Sequence, residues 1–168
     1  WGNGRIDSGL LVNIAEKPDG VLAAGRLDVS LRGSILLAGR VKDAETLQTA
    51  AELPVRGLIL SSLVPSLIQV AREMRYPIVV TDGFGDLPMN SAAFKLLSTN
   101  AKRDVTVNAE AYDRYTGARP EVIISLPIST ELPVPREVET YAPGLQVRMR
   151  RPPALGMIGS ITAVKPGL

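Results

Sequence analysis

The segment from residue 32 to residue 86 constrains the fold more than any other part of the chain. It contains three short apolar runs, at 33–38, 57–60 and 77–81, and two intervening stretches whose apolar residues recur at helical spacing. Runs that are apolar at every position are typical of strands buried on both faces, and helical connections join parallel strands. The sequence therefore predicts an α/β fold with a mainly parallel sheet, in which these three strands are neighbours.

Capping residues and periodicity predict three helices. The first begins after Asp43, whose carboxylate can accept the unpaired N–H groups of a first turn. The second has Pro65 at its first position and ends by Tyr76, because the proline that follows Tyr76 disfavours a helical residue before it. The third begins after Asn90, another favoured N-cap residue.

A β-rich lead-in is expected before this core. Residues 10–15 are predicted to form a strand, residues 17–20 a turn, and residues 21–24 and 27–31 further extended segments. Trp1 is interpreted as a hydrophobic anchor for the chain end rather than as a ligand-stacking residue.

After the third helix the apolar period changes to two. Alternation from Asp104 to Ala109 predicts a strand, and the apolar run at 121–128 predicts another. The sheet is therefore expected to gain one or two strands at this point.

The proline-rich stretch at 126–135 is the predicted domain boundary, because its prolines favour a stiff extended connector. We place the boundary near Thr130. The expected organisation is an α/β domain at 1–130, including the lead-in, and a small β unit at 131–168.

Composition narrows the classes of function. The chain has no cysteine and no histidine, so it lacks disulfides, thiolate chemistry and the commonest general base and metal ligand. With 19 basic and 17 acidic side chains, net charge gives no reason to expect nucleic acid. We therefore expect no enzymatic activity, no cofactor and no metal site.

No apolar run approaches the roughly 20 residues of a membrane span, so we expect a soluble, cytoplasmic protein with no membrane contact. The first residue is Trp1 rather than Met, which suggests a piece of a longer chain whose targeting signals could have been removed.

Residues 145–164 alternate in polarity on both sides of a glycine-containing turn, and this stretch resembles the KOW motif of small SH3-like barrels. The matching positions are Val147, Met149, Pro153, Gly156, Gly159, Ile161 and Val164, whereas Pro152 and Ala154 depart from the pattern. The resemblance implies part of an SH3-like β unit and contacts with RNA or protein of the kind that ribosomal and transcription-related domains make.

Three arginines, Arg148, Arg150 and Arg151, lie in this stretch and are the candidate nucleic-acid contacts. They come without neighbouring stacking aromatics, so a solvated strand face is the favoured interpretation and nucleic-acid binding the alternative.

Residues 32–100 carry a weaker likeness, in the strand at 56–61, the Tyr-Pro before the strand at 76–81, and the glycine-rich stretch at 82–86. This order is similar to that of swivelling α/β domains, which act as mobile carriers or docking units in larger enzymes. The chain lacks the reactive histidine of the carrier versions, so the likeness implies an architecture without phosphoryl carriage.

The candidate ligand or partner site lies at the ends of the three core strands, because parallel α/β sheets place ligands there. Glycines would allow close backbone approach and a helix N-terminus favours anions, but nearby carboxylates would repel an anion and lack the spacing of a calcium loop. A structural turn is therefore the favoured interpretation. The candidate residues are Asp82, Gly83, Gly85 and Asp86 after the third strand, Gly39 and Arg40 after the first, and Ser61 and Ser62 after the second.

The sequence is most consistent with a non-enzymatic interaction or regulatory module of a larger protein, with another protein or other domains of the same polypeptide as its partner. Two alternatives stay open: an accessory domain of a larger enzyme, and an RNA-binding module that uses the C-terminal arginines.

Overall fold

The computed structural model describes residues 1–126 and 140–165. These residues belong to two compact units, the first spanning Trp1–Ser125 and the second beginning at Leu126. The first unit has the α/β fold that the sequence predicts. The expected boundary at Thr130 lies outside the described residues.

One mixed sheet forms the centre of the first unit. Its main order is β8–β7–β1–β3–β5–β6, with β1, β3, β5 and β6 parallel to one another and with β7 and β8 added in antiparallel fashion. The short strand β4 pairs with both β5 and β2. The strands are β1 (Ile6–Asn13), β2 (Val21–Leu22), β3 (Ser34–Leu37), β4 (Arg40–Val41), β5 (Gly57–Leu63), β6 (Ile78–Phe84), β7 (Asp104–Asn108) and β8 (Glu121–Ile124).

The three core strands predicted from the sequence are β3, β5 and β6. They are parallel neighbours, with Leu36 opposite Leu58 and Leu58 opposite Ile78. This prediction is confirmed. β5 lies between β3 and β6 and is therefore buried along its whole length.

The helices are α1 (Ala44–Glu52), α2 (Ile68–Glu73) and α3 (Ser91–Thr99). Asp43 caps α1 by accepting from the backbone N–H of Thr46 at 2.8 Å, and Asn90 caps α3 through its side-chain oxygen. Both caps are confirmed. Pro65 instead begins a 3-10 turn, Pro65–Leu67, that precedes α2, so the expectation that it begins the α-helix itself is wrong.

Alternating residues of the central strands enter two apolar clusters on opposite faces of the sheet. Leu58 and Leu60 pack in the cluster that contains residues of α1 and α2, whereas Ile59 packs in the cluster that contains residues of α3. This period of two follows from strand geometry and explains why every position of β5 is apolar or small.

The N-terminal residues pair with the outer edge of β6 and contact the end of β7. Gly2 pairs with Val79 of β6, and the N–H of Gly4 donates to the carbonyl of Ala109 just beyond β7. A Cβ on Gly2 would overlap the carbonyl of Ala109, so this approach requires glycine. The Trp1 ring packs edge-on against Phe84 with ring centroids 6.0 Å apart and contacts the α1 and α2 cluster, as an anchor for the chain end would.

The lead-in differs from expectation on both sides of the turn at 17–20. Its first strand is β1, which begins earlier than predicted and ends at Asn13. Residues 27–31, expected to be extended, contain the 3-10 turn Val29–Leu31, because the Asp28 carboxylate accepts from the N–H of Ser30 and so caps a helical turn.

The second unit contains an antiparallel hairpin of β9 (Gln146–Arg148) and β10 (Ile158–Ser160), in which Val147 lies opposite Gly159. The alternation in the sequence predicts that Val147, Met149, Ile161 and Val164 share a buried face. This prediction is wrong, because Met149 is 44% and Val164 46% exposed. Two strands have too little surface to bury such a row on their own.

Among the helices of the described residues, none combines the length and the apolar character that a membrane crossing requires.

Candidate functional site

The strand ends predicted to form one rim do lie together. The N–H of Ser61 donates to the carbonyl of Gly39, Ser62 lies opposite Gly83, and Arg40 contacts Asp86. We call these segments, residues 39–40, 61–62 and 82–86, the rim.

Part of the rim belongs to strands rather than loops. Ser61 and Ser62 lie within β5, and Asp82 and Gly83 lie within β6, because β5 and β6 continue past an irregularity in their register between Leu60 and Ser62. The expectation that these four residues follow the strands as loop residues is therefore wrong. Gly85 follows β6 directly with a φ of 100°, a conformation that favours glycine.

The charged groups of the rim pair with one another. The Asp86 carboxylate lies 3.0 Å from Lys42 Nζ and 3.3 Å from Arg40 Nη1, and Arg40 Nη2 also donates to the carbonyl of Asp19. The hydrogen bond and charge of Lys42, helped by the charge of Arg40, hold the pKa of Asp86 below its usual value. Asp86 thus neutralises local positive charge that could otherwise have attracted an anion.

Backbone N–H groups after β6 already donate to protein acceptors. These acceptors are the carbonyl of Leu63 for Gly85, the hydroxyl of Ser62 for Leu87, and the carboxylate of Asp82 for Asn90. An anion-binding loop needs such groups to point at the ligand. In this protein the N–H groups instead hold the chain in its path into α3, as expected of a structural turn.

Gly39 packs directly on the lead-in turn. A Cβ at this position would overlap the carbonyl oxygen of Gly20, and that carbonyl also accepts from the N–H of Arg40 at 2.8 Å. The space beside these two glycines is about 10 Å³, roughly what one water needs. Gly39 therefore serves close packing of the backbone at this point.

The two serines of the rim have no surface contact with solvent. Ser61 and Ser62 are both fully buried. Within the described residues, the Ser61 hydroxyl and Arg40 Nε are buried side-chain atoms without a hydrogen-bond partner. A ligand arriving from solvent could not reach Ser61 without rearrangement of β5.

No group of three or more acidic side chains within residues 1–126 and 140–165 is arranged to hold a metal ion. Asp82 accepts a 2.6 Å hydrogen bond from Thr81, whereas Asp86 faces Lys42 and Arg40. In these contacts the two rim carboxylates face different side chains.

A different surface of the first unit is concave and apolar. It is a groove of about 370 Å³ with α3 along one side and β8 along another. We call this surface the α3–β8 groove. Its lining residues are Trp1, Val79, Val80, Thr81, Ala93, Leu96, Leu97, Pro120, Val122 and Ile124.

This groove is not predicted from the sequence. One signal was present in the sequence. Ala93, Phe94 and Leu97 recur at helical spacing and pack on the core, whereas Leu96 is apolar but lies outside this stripe and is 56% exposed. The residues opposite it come from β6 and β8, some 40 positions apart in sequence, so no local pattern could join them.

In the second unit, Arg148, Arg150 and Arg151 are all exposed, as expected of a solvated strand face. Arg148 lies in β9, and the other two follow it. Every acidic side chain of the protein precedes residue 140, so the described part of this unit has basic side chains and no acidic ones.

The fold and these surfaces define an α/β domain with an apolar groove, followed by a basic β-hairpin. Comparison of the chain with protein-family models, with curated proteins and with solved structures gave no match.

Proposed function

We propose that the first unit is a non-enzymatic interaction module that binds a segment of another protein, or of another domain of the same polypeptide, in the α3–β8 groove. The observation that carries this proposal is the exposure of Leu96 beside a groove lined by apolar side chains of three elements. Concave apolar surfaces of this size are typical binding sites. We propose the cytoplasm as the location.

The state of the rim supports a binding function over a catalytic one. Its serines are buried, its loop N–H groups donate to protein atoms, and the carboxylate of Asp86 is paired with Lys42. The absence of histidine and cysteine from the sequence removes the commonest general base and the thiolate nucleophile. An accessory domain of a larger enzyme is compatible with the same groove, since such a domain also binds through its surface.

Selection from a library of random 12-residue peptides tests the proposal. The complete 168-residue chain is the target, and Leu96→Asp is the counter-target, because a carboxylate in the groove would have to be desolvated when an apolar peptide binds. The matched control is Val29→Asp. Val29 is 76% exposed, lies in the 3-10 turn Val29–Leu31 rather than in β8, and does not line the groove.

We expect enriched peptides that bind the chain and the Val29→Asp variant equally well but bind the Leu96→Asp variant at least tenfold more weakly. Circular dichroism melts of both variants check that they are folded. A selection that yields no peptide, or only peptides that are insensitive to Leu96→Asp, contradicts the proposal.

A second candidate function belongs to the second unit: RNA binding, which the likeness to KOW motifs implies. The observation that favours it is the charge of residues 140–165, where Arg148, Arg150, Arg151 and Lys165 occur without any acidic side chain. A local cluster of arginines can attract phosphates even in a chain whose net charge is nearly neutral.

Fluorescence anisotropy with a labelled single-stranded RNA tests this candidate. If the arginines bind phosphates, replacing all three by alanine weakens binding and lowers the slope of log affinity against log salt by about 0.7 for each phosphate that is no longer neutralised. Replacing the exposed Arg26 and Arg32 of the first unit is the control. Absence of measurable binding by the unaltered chain at low salt would reject the candidate.

A further inference from the structure

The β8 strand forms one side of the α3–β8 groove and is an edge strand. Within the described residues it pairs with β7 alone. Val122 and Ile124 line the groove, whereas the intervening Ile123 does not. An edge strand leaves a row of backbone N–H and C=O groups unpaired, and the backbone of another extended chain is their natural complement.

Another edge bordering the groove is already covered in this way. The N-terminal segment runs antiparallel to β6, with Gly2 opposite Val79. The amine of Trp1 donates to the carbonyl of Val80 at 2.9 Å, and the N–H of Val80 donates back to the carbonyl of Trp1 at 2.8 Å. The fold thus covers the β6 edge with an added extended segment, whereas the β8 edge has no such cover among the described residues.

We infer that the segment bound in the α3–β8 groove adopts an extended conformation and adds to β8 as a further strand; this inference rests on the proposed interaction function. Its backbone hydrogen-bonds to the free edge of β8, and its alternate side chains enter the groove. No charged side chain lines the groove, so those inward residues are apolar.

Strand addition fits this surface better than two other modes. A bound helix would satisfy its own backbone and leave the β8 edge unpaired. A second copy of the chain would offer a β8 strand that already belongs to its own folded sheet. The groove fits a separate strand better, because alternate side chains of such a strand can contact Leu96 of α3. A free extended segment uses both the backbone edge and the apolar lining, as in other cases of strand addition.

N-methylation of a selected peptide tests the mode of binding separately from binding itself. The probe is a peptide from the library that depends on Leu96, synthesised as a series with one N-methyl group at each backbone position in turn. In a strand, successive N–H groups point to opposite edges. We expect about tenfold or greater loss of affinity at alternate positions and tolerance at the positions between them.

Each other result has a definite meaning. A peptide that tolerates every N-methyl group, or that loses affinity with a period of three to four, still binds the groove but overturns strand addition. If no peptide depends on Leu96, the proposed function fails and the inference fails with it. A concentration-dependent dimer of the chain that the peptide dissociates would make a second copy the natural occupant, and this would overturn the inference.

Hydrogen exchange gives an independent readout. Addition of a strand should slow exchange of those backbone amides of Glu121–Ile124 that point away from β7, because these amides become hydrogen-bonded to the peptide. The amides of β9 and β10 serve as the internal control and should not change. Protection confined to α3, with none in β8, would contradict strand addition.

Discussion

The hydroxyl of Tyr76 donates a 2.8 Å hydrogen bond to the backbone carbonyl of Leu47. Leu47 lies in the middle of α1, and Tyr76 lies just before β6, so this bond joins the first helix to the start of the third core strand. Both residues are buried in the apolar cluster on the α1 and α2 face. A polar group in such a place is stable only when it has a partner.

Replacing Tyr76 by phenylalanine should lower the free energy of unfolding by about 0.5–1.5 kcal/mol, the typical net value of one hydrogen bond. The ring stays in place, so the loss reports on the hydroxyl. Urea denaturation measures the change. The exposed Tyr112 provides the control, since Tyr112→Phe should leave the unfolding midpoint unaltered. Equal stability of the two variants would argue against the bond.

Burial of Tyr76 also predicts a dependence on alkaline pH. Burial raises the pKa of its hydroxyl well above the ordinary value of 10, because the charged phenolate loses its hydration. The folded state therefore holds this proton more tightly than the unfolded state does. The associated stability is complete below about pH 10 and is lost as the pH rises further. Consequently the free energy of unfolding of the unaltered chain should exceed that of Tyr76→Phe by less and less between about pH 10 and pH 11.5. A constant difference in unfolding free energy from neutral pH through that range would contradict this.

The cap of α3 gives a third prediction. The Asn90 side-chain oxygen accepts from the N–H groups of Ala92 and Ala93 at 3.0 and 3.2 Å. Asn90→Ala should destabilise the chain by about 0.5–2 kcal/mol, the usual range for a lost cap. Asn90→Ser keeps a capping oxygen and should recover most of this in thermal or urea unfolding. If the alanine and serine variants melt together, the cap is not what stabilises this end of the helix.

The local signals in the sequence are sufficient for the core of the fold. Asp43 and Asn90 are short polar side chains directly before amphipathic stretches, and they do cap the helices that follow. Likewise the apolar run at 57–60 in β5 favours burial on both faces, which a central parallel strand between helices provides. In these places the local preference and the tertiary packing favour the same structure.

What the sequence could not predict depends on long-range pairing. The N-terminal segment is held by β6 and by Ala109, partners that lie 75 or more positions away. The α3–β8 groove likewise joins side chains from separate elements, and within the described residues β8 is the last strand on its side of the sheet. Serine and glycine usually end strands, so the sequence predicts loops at Ser62 and Gly83, whereas the pairing of β5 with β6 carries the strands through them.

The close approach of Gly39 to Gly20 gives a fourth prediction. Because a methyl group at residue 39 would overlap a backbone oxygen, which cannot rotate away, Gly39→Ala should destabilise the chain by about 1–3 kcal/mol. Gly25→Ala is the control: a Cβ there meets no atom within 4 Å, so this variant should be neutral or slightly more stable. Thermal unfolding of the two variants compares them directly. A Gly39→Ala variant as stable as Gly25→Ala would mean that the lead-in turn does not pack on the end of β3 as described.

The rim carboxylate gives the last prediction. The hydrogen bond and charge of Lys42 are the largest causes that lower the pKa of Asp86 below its ordinary value of 3.8, and the charge of Arg40 contributes less. The lowered pKa means that the ion pair contributes to stability above about pH 4 and loses that contribution as the pH falls through the folded-state pKa. Lys42→Gln should therefore raise the pKa of Asp86 towards 3.8, and Arg40→Gln should raise it less. Titration followed by NMR of the side-chain carboxyl carbon measures both.

Asp113 is the internal control for that titration. Its pKa is also lowered, but by hydrogen bonds from the Tyr115 backbone and the Thr116 side chain rather than by a cation. It should titrate identically in the unaltered chain and in the Lys42→Gln variant. Because Asp86 is exposed, about 1 M salt should also move its pKa towards the ordinary value, since salt screens surface ion pairs, whereas the short hydrogen bonds of Asp113 should be less sensitive. If Lys42→Gln shifts both carboxyls equally, or shifts neither, then Lys42 is not what holds Asp86 ionised, and the neutralised rim would have to be explained by Arg40 alone.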